Sequence, residues 1–89
     1  MRAVITVVGE DKRGIIAKVS GVLYETDINI LDISQTIMQD IFTMVTLVDI
    51  SHASIPFHQL IDRLNQVGNE IGVKIHVQHE DIFNSMHKI

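Results

Sequence analysis

Cysteine is absent from the 89 residues of this chain. Its absence excludes disulfide bridges, thiolate metal sites and a cysteine nucleophile together. It also excludes a copper carrier, because Cu(I) prefers thiolate ligands. A domain of this size must therefore be held together by packing alone, and we expect a second copy of the chain to contribute to that packing.

Aromatic residues and proline are also scarce, with three phenylalanines, one tyrosine, no tryptophan and a single proline. Hydrophobic residues still make up 46% of the chain, which excludes an intrinsically disordered protein. The core must therefore be built from isoleucine, valine, leucine and methionine.

The chain has fewer positive than negative side chains: there are seven Lys and Arg residues and eleven Asp and Glu residues, which gives a net charge of −4. Phosphate backbones and anionic membranes repel such a chain, so neither nucleic acid nor membrane is an expected partner. The first apolar run, residues 3–8, is too short for a signal peptide, and no run approaches the roughly 18 residues of a membrane span. We expect a soluble, cytoplasmic protein.

The first half of the chain alternates between two apolar periodicities. Residues 3–8 are β-branched without polar alternation, which is typical of a central strand covered on both faces. Helical spacing of apolar residues predicts a helix over 14–26, and residues 28–38 then predict a half-exposed strand. The predicted apolar face of that strand is formed by Leu31, Ile33 and Ile37. A tight turn at 39–40 leads into a hairpin partner over 41–50.

The second half repeats the helix and the strand. Ser54 is predicted to cap a helix whose first turn holds Pro56, where a proline costs no helical hydrogen bond. Gly68 or Gly72 ends this helix. Residues 73–78 alternate between apolar and polar side chains, which predicts a strand with one covered face.

This order of elements predicts one α+β domain over residues 1–80. It is a ferredoxin-like βαββαβ sandwich, in which a four-stranded antiparallel sheet carries two helices on one face. Because the strands are apolar on both faces, we expect the other face or an edge strand to meet another subunit. Residues 81–89 predict a short amphipathic segment that packs on the domain or on a partner subunit.

The loop before the first helix is the main candidate binding site. Gly14 lets the backbone approach a ligand, and the free amides of the first helical turn favour an anion such as a carboxylate. Asp11 could accept a hydrogen bond from an amino group, while Lys12 or Arg13 adds positive charge. In the alternative interpretation Asp11 only caps the helix and the charges are solvated.

A resemblance to a known family bears on that choice. The segment Asp11-Lys12-Arg13-Gly14-Ile15-Ile16 at the start of helix one, followed by Asn29-Ile30 at the start of strand two, resembles the ACT domain, an amino-acid-sensing regulatory module. The resemblance covers essentially the whole chain. Its last nine residues are similar to the ending of small stand-alone ACT proteins related to the ACT halves of the glycine cleavage transcriptional regulator.

The resemblance implies a homodimer or higher oligomer that holds a small ligand between the helix-one loop of one subunit and strand two of a neighbour. The ligand-binding residues that it implies are Asp11, Lys12, Arg13, Gly14, Ile15, Ile16, Asn29 and Ile30. Two positions depart from the family pattern. Arg13 stands where many members have proline, and Asp27 stands where a glycine often ends helix one.

The sequence gives little evidence for a metal site or a catalytic site. His76 and His79 are three residues apart on a strand, so they point to opposite faces, and the other three histidines lie in different elements. Arg13 alone cannot make an acylphosphatase-like site, because a residue that orients water is missing. We therefore predict no catalytic residue, no metal and no cofactor.

Two functions remain open at this point. The first is a non-catalytic regulatory module that binds an amino acid and acts in trans through subunit contacts or on a partner protein. The alternative is a structural or protein-interaction subunit whose ligand site is vestigial and whose exposed sheet or edge strand docks a larger protein.

Overall fold

The computed structural model describes residues 1–10 and 13–86. Within them, strands and helices follow one another in the predicted order, with a third helix at the end. The elements are β1 (Arg2–Glu10), α1 (Ile15–Glu25), β2 (Asn29–Met38), β3 (Ile41–Asp49), α2 (Phe57–Ile71), β4 (Val73–His79) and α3 (Glu80–Met86).

The four strands form one sheet in the order β2-β3-β1-β4. Every neighbouring pair is antiparallel. Strands β1 and β3 lie at the centre and are paired from Arg2–Asp49 to Glu10–Ile41. The predicted ferredoxin-like sandwich is therefore confirmed, with β2 and β4 as its two edges.

The core lies between the sheet and helices α1 and α2. It is formed by alternate residues of the central strands, which point to one face, and by the apolar stripe of each helix. Its most deeply buried large side chains include Ile5, Val7, Ile15, Val19, Leu23, Met44, Val48, Leu60 and Leu64. As composition predicted, this core is aliphatic, and Phe42 is its one fully buried aromatic residue among the described positions.

Helix α1 begins and ends with left-handed residues. Gly14 has φ 86° and precedes Ile15, while Asp27 has φ 57° just after the helix. The Thr26 hydroxyl donates a 2.8 Å hydrogen bond to the Val22 carbonyl and closes the last turn. Asp27 thus takes the conformation for which glycine is usually selected, and the predicted helix over 14–26 is confirmed with its two capping residues at the ends.

Helix α2 corrects one prediction. Its N-cap is Pro56, with φ −62° and ψ 155°, and no side chain caps it. Ser54 lies two residues earlier, where its backbone N–H donates to the Thr26 carbonyl at 2.9 Å and ties the loop to the end of α1. At the other end, left-handed Gly72 donates its N–H to the Gly68 carbonyl at 2.8 Å, so Gly72 ends the helix.

Strand β2 differs most from its prediction. All ten of its residues are exposed, although a half-exposed strand was expected. The strand is exposed because it lies at a sheet edge and makes few contacts with α1. Helix α2 packs over β4, at the other edge. The pairing with β3 also shifts between Ile30 and Asp32, so Leu31 is an inserted bulge residue and does not continue the face of Ile33 and Ile37.

Helix α3 lies against β1 and β4 of its own chain. Phe83 and Met86 face Thr6 and Val45 across a groove on the sheet face away from α1 and α2. The Gln78 amide donates to the Met86 sulfur at 3.0 Å. The last three residues of the predicted amphipathic segment, 87–89, lie outside the described residues. Among residues 1–10 and 13–86, no helix is long and apolar enough to cross a membrane.

Candidate functional site

The start of α1 lies at the end of the sheet where β1 finishes. Glu10 pairs with Ile41 there, and left-handed Gly14 leads into the helix. The first helical hydrogen bond runs from the Lys18 N–H to the Gly14 carbonyl, 2.8 Å. The amides of residues 15–17 therefore have no partner inside the helix, and the first turn carries partial positive charge. Two predicted site residues, Asp11 and Lys12, lie outside the described residues.

A cleft of about 580 Å³ opens beside this helical turn, between α1 and the inner face of β2. Ile15 forms part of its floor and is buried, whereas Ile16 on its wall is 40% exposed. The remaining lining is Gly14, Ala17, Ser20, Gln35, Ile37 and Phe42. Three of the predicted site residues, Gly14, Ile15 and Ile16, are thus brought together here.

Asn29 and Ile30 lie at the opposite end of β2. Asn29 pairs with Asp49, whereas Met38 pairs with Ile41 beside the α1 start. Nine strand steps of about 3.3 Å separate these two ends, so they are roughly 30 Å apart. A single chain therefore does not bring the Asn-Ile pair to the cleft, and the prediction that both contact one ligand already assigned them to two different subunits.

The Asn29 end has a shallow pocket of its own, of about 470 Å³. Tyr24, Glu25 and Asp27 line it together with Ile28 and Asn29. The Tyr24 side chain is 85% exposed, which is a high value for a tyrosine. Sequence reasoning missed this group, although Asp27 and Asn29 are both positions of the family pattern. One further signal was Tyr24, which falls off the apolar stripe of α1.

The free edge of β2 connects the two ends. Strand β2 is hydrogen-bonded to β3 on one side and has no neighbouring strand on the other among the described residues. Its exposed apolar side chains are Ile30, Leu31, Ile33, Ile37 and Met38. Such a long, apolar and unpaired edge is a template for another strand.

Charged groups elsewhere form a few structural contacts. Arg2 and Glu80 pair at 2.7 Å between β1 and the start of α3, and Arg63 pairs with Glu25 at 2.6 Å between α2 and α1. Hydrogen bonds donated by the hydroxyl and the backbone N–H of Ser51 lower the pKa of Asp49, which is an exposed carboxylate. None of these contacts involves the cleft.

Within the described part of the chain, the histidines do not form a cluster that could bind a metal ion. His79 instead stacks on Phe57, with ring centroids 4.1 Å apart and an interplanar angle of 25°. His76 is exposed on β4 and lines the outer groove.

The sequence and the fold together identify the class of protein. The family model of the ACT domain matches residues 2–78, and the chain belongs to that family. A UPF0237 protein of Methanococcus maripaludis is 59% identical over 86 residues, which cover 97% of this chain and 96% of that protein. The resemblance drawn from the loop and the Asn-Ile pair is thereby confirmed.

Solved structures agree with this assignment. An ACT domain protein from Streptococcus pneumoniae is 44% identical, with a TM-score of 0.81 and 93% of each chain covered. A putative glycine cleavage system transcriptional repressor is 25% identical, with a TM-score of 0.69, and the match covers 86% of this chain but 44% of that one. The present chain therefore corresponds to about half of that larger protein.

Proposed function

We propose that this chain is a non-catalytic regulatory module that binds an α-amino acid between two copies of itself. ACT domains are commonly regulatory modules that bind small molecules. The observation that carries the proposal is the exposed edge of β2, which has no neighbouring strand among the described residues and has one half of the family motif at each end.

A two-fold dimer through this edge joins the two halves. Two-fold dimers are the commonest oligomers, and antiparallel pairing of β2 with its copy reverses the direction of the second strand. With the axis near Ile33, the Met38 end of one strand lies beside Asn29 of the partner subunit. The cleft of each copy then faces Asn29 and Ile30 of the partner subunit, so two equivalent sites form.

The chemistry at this junction suits an amino acid. The carboxylate accepts hydrogen bonds from the free amides of the first α1 turn, and Arg13 and Lys12 add positive charge. The amino group donates to Asp11 and to an oxygen of Asn29 of the partner subunit. A ligand held by both copies is bound by the dimer and not by the monomer.

Regulation follows from this linkage. A ligand that binds only the dimer stabilises the dimer by mass action, and dimerisation raises ligand affinity by the same factor. The output of the module is a contact with a partner protein in trans, in the cytoplasm. A rise in ligand concentration therefore shifts the chain toward the dimer, in which the β2 edge is covered.

The test compares the two edges of the sheet. Ile33→Lys places two ammonium groups next to each other at the proposed axis, while His76→Lys makes a similar change at the middle of the other edge strand. Light scattering on the gel-filtration peak should give a dimer for wild type and His76→Lys and a monomer for Ile33→Lys. Thermal shift against the twenty amino acids should show a response only in the two dimeric proteins.

Either of two results would refute the proposal. One is a wild-type chain whose melting temperature no amino acid raises. The other is an Ile33→Lys protein that stays dimeric and responds like wild type.

The alternative function is a protein-interaction subunit with a vestigial ligand site. The same apolar edge favours it, because an exposed edge strand accepts an extended peptide through main-chain hydrogen bonds. A monomeric wild type that ignores all amino acids, yet binds the same cellular protein with and without them, would select this alternative.

A further inference from the structure

Most of the side chains that line the cleft are apolar. Ile16 and Ile37 form opposite walls, and Phe42 closes the floor with only 4% of its surface exposed. Ile37 is 56% exposed although it points to the face on which the core lies. Exposed isoleucines on both sides of a concave surface mark a place where apolar surface remains to be covered.

No ionisable side chain lines the cleft among the described residues. Its polar side chains are Ser20 and Gln35, which are neutral. A charged ligand side chain placed there would lose its hydration without gaining a partner charge, and that loss weakens binding. The described lining thus disfavours acidic and basic side chains and favours aliphatic or small neutral ones.

Small residues of α1 leave space in the cleft for a branched side chain of the ligand. Ala17 and Ser20 are the α1 residues that line the cleft beside Ile16, and both are small. The volume of about 580 Å³ is within the range of small-molecule sites. A branched aliphatic side chain would cover more of the exposed apolar surface of Ile16 and Ile37 than a methyl group would.

We infer that the ligand is an aliphatic amino acid of the size of valine, leucine or isoleucine, and that Ile16 and Ile37 determine this specificity. The inference rests on the proposed function, because the backbone of the amino acid is held by the α1 amides and the partner subunit. The contacts of the side chain, however, come from the cleft of a single copy.

Isothermal titration of the full chain with single amino acids tests the inference. Leucine, isoleucine or valine should bind at least about tenfold more tightly than alanine, serine, aspartate and lysine. Ile37→Ala should weaken leucine binding by about tenfold, since it removes one wall of the cleft. Ile82→Ala is the matched control: this isoleucine of α3 is similarly exposed, at 51%, but lies neither in the cleft nor on β2, and its substitution should leave affinity unchanged.

Each outcome separates the two proposals. If no amino acid binds, the proposed function fails and the inference fails with it. If a charged or hydroxyl-bearing amino acid binds best, or if Ile37→Ala binds leucine like wild type, ligand sensing stands and the aliphatic specificity is wrong. Light scattering on both variants confirms that any loss of binding occurs in a dimer.

Discussion

Gly9 of β1 lies directly opposite Val73 of β4, and a Cβ added to Gly9 would stand 2.7 Å from Val73 Cγ1 and 3.1 Å from its Cα. A second glycine, in α2, also lies close to Val73. A Cβ added to Gly68 of α2 would stand 2.7 Å from the Val73 carbonyl oxygen. Two glycines on separate elements therefore allow β1, β4 and α2 to approach one another at this residue.

Gly9→Ala should lower the free energy of unfolding by about 1–3 kcal/mol, because the added methyl group forces β1 and β4 apart. Gly21→Ala is the control, since a Cβ there meets nothing within 4 Å and alanine favours the helix by up to about 1 kcal/mol. Urea unfolding of both variants measures the two changes. Equal stability of Gly9→Ala and wild type would show that the strands can separate without cost.

Thr46→Val should stabilise the protein. The Thr46 side chain is 1% exposed, and its hydroxyl makes no hydrogen bond to any described residue. Valine has nearly the same shape and no hydroxyl to desolvate, so the gain should be about 1–2 kcal/mol. Thr43→Val, on the partly exposed face of the same strand, should change stability much less. A loss of stability in Thr46→Val, measured by urea unfolding, would mean that the hydroxyl has a partner.

The fold was predictable from the sequence because it depends on local patterns. The helical spacing after Gly14 and the β-branched run in β1 are properties of short segments, and each segment formed the predicted element. Exposure of β2 was predicted wrongly, because it depends on which strand lies at the sheet edge. The Leu31 bulge was missed for a similar reason, since an inserted residue is visible only against a paired strand.

The candidate site was only partly predictable. The glycine and apolar residues at the start of α1 were identified by their motif, and they do line one cleft. Gln35 and Ile37, on the other wall, belong to no motif and were found only once β2 was placed beside α1. Gly14 and Asn29 are only 15 residues apart in sequence, but α1 lies between them, and its 11 residues span about 16 Å along the sheet. The two halves of the motif are therefore far apart within one chain.

The central claim is that each site is built from two copies of the chain, and complementation between two defective variants tests it. Ile16→Asp damages the cleft, and Asn29→Ala damages the contribution to the partner subunit. Each variant alone should bind no leucine, although each remains dimeric by light scattering.

Titration of leucine into an equal mixture, after the subunits have exchanged, is the deciding measurement. Half of the dimers are then mixed, and each has one intact site, so about a quarter of the wild-type sites should return. Recovery to that level would support the shared site. A mixture that binds no leucine, or an Asn29→Ala protein that binds like wild type on its own, would contradict it.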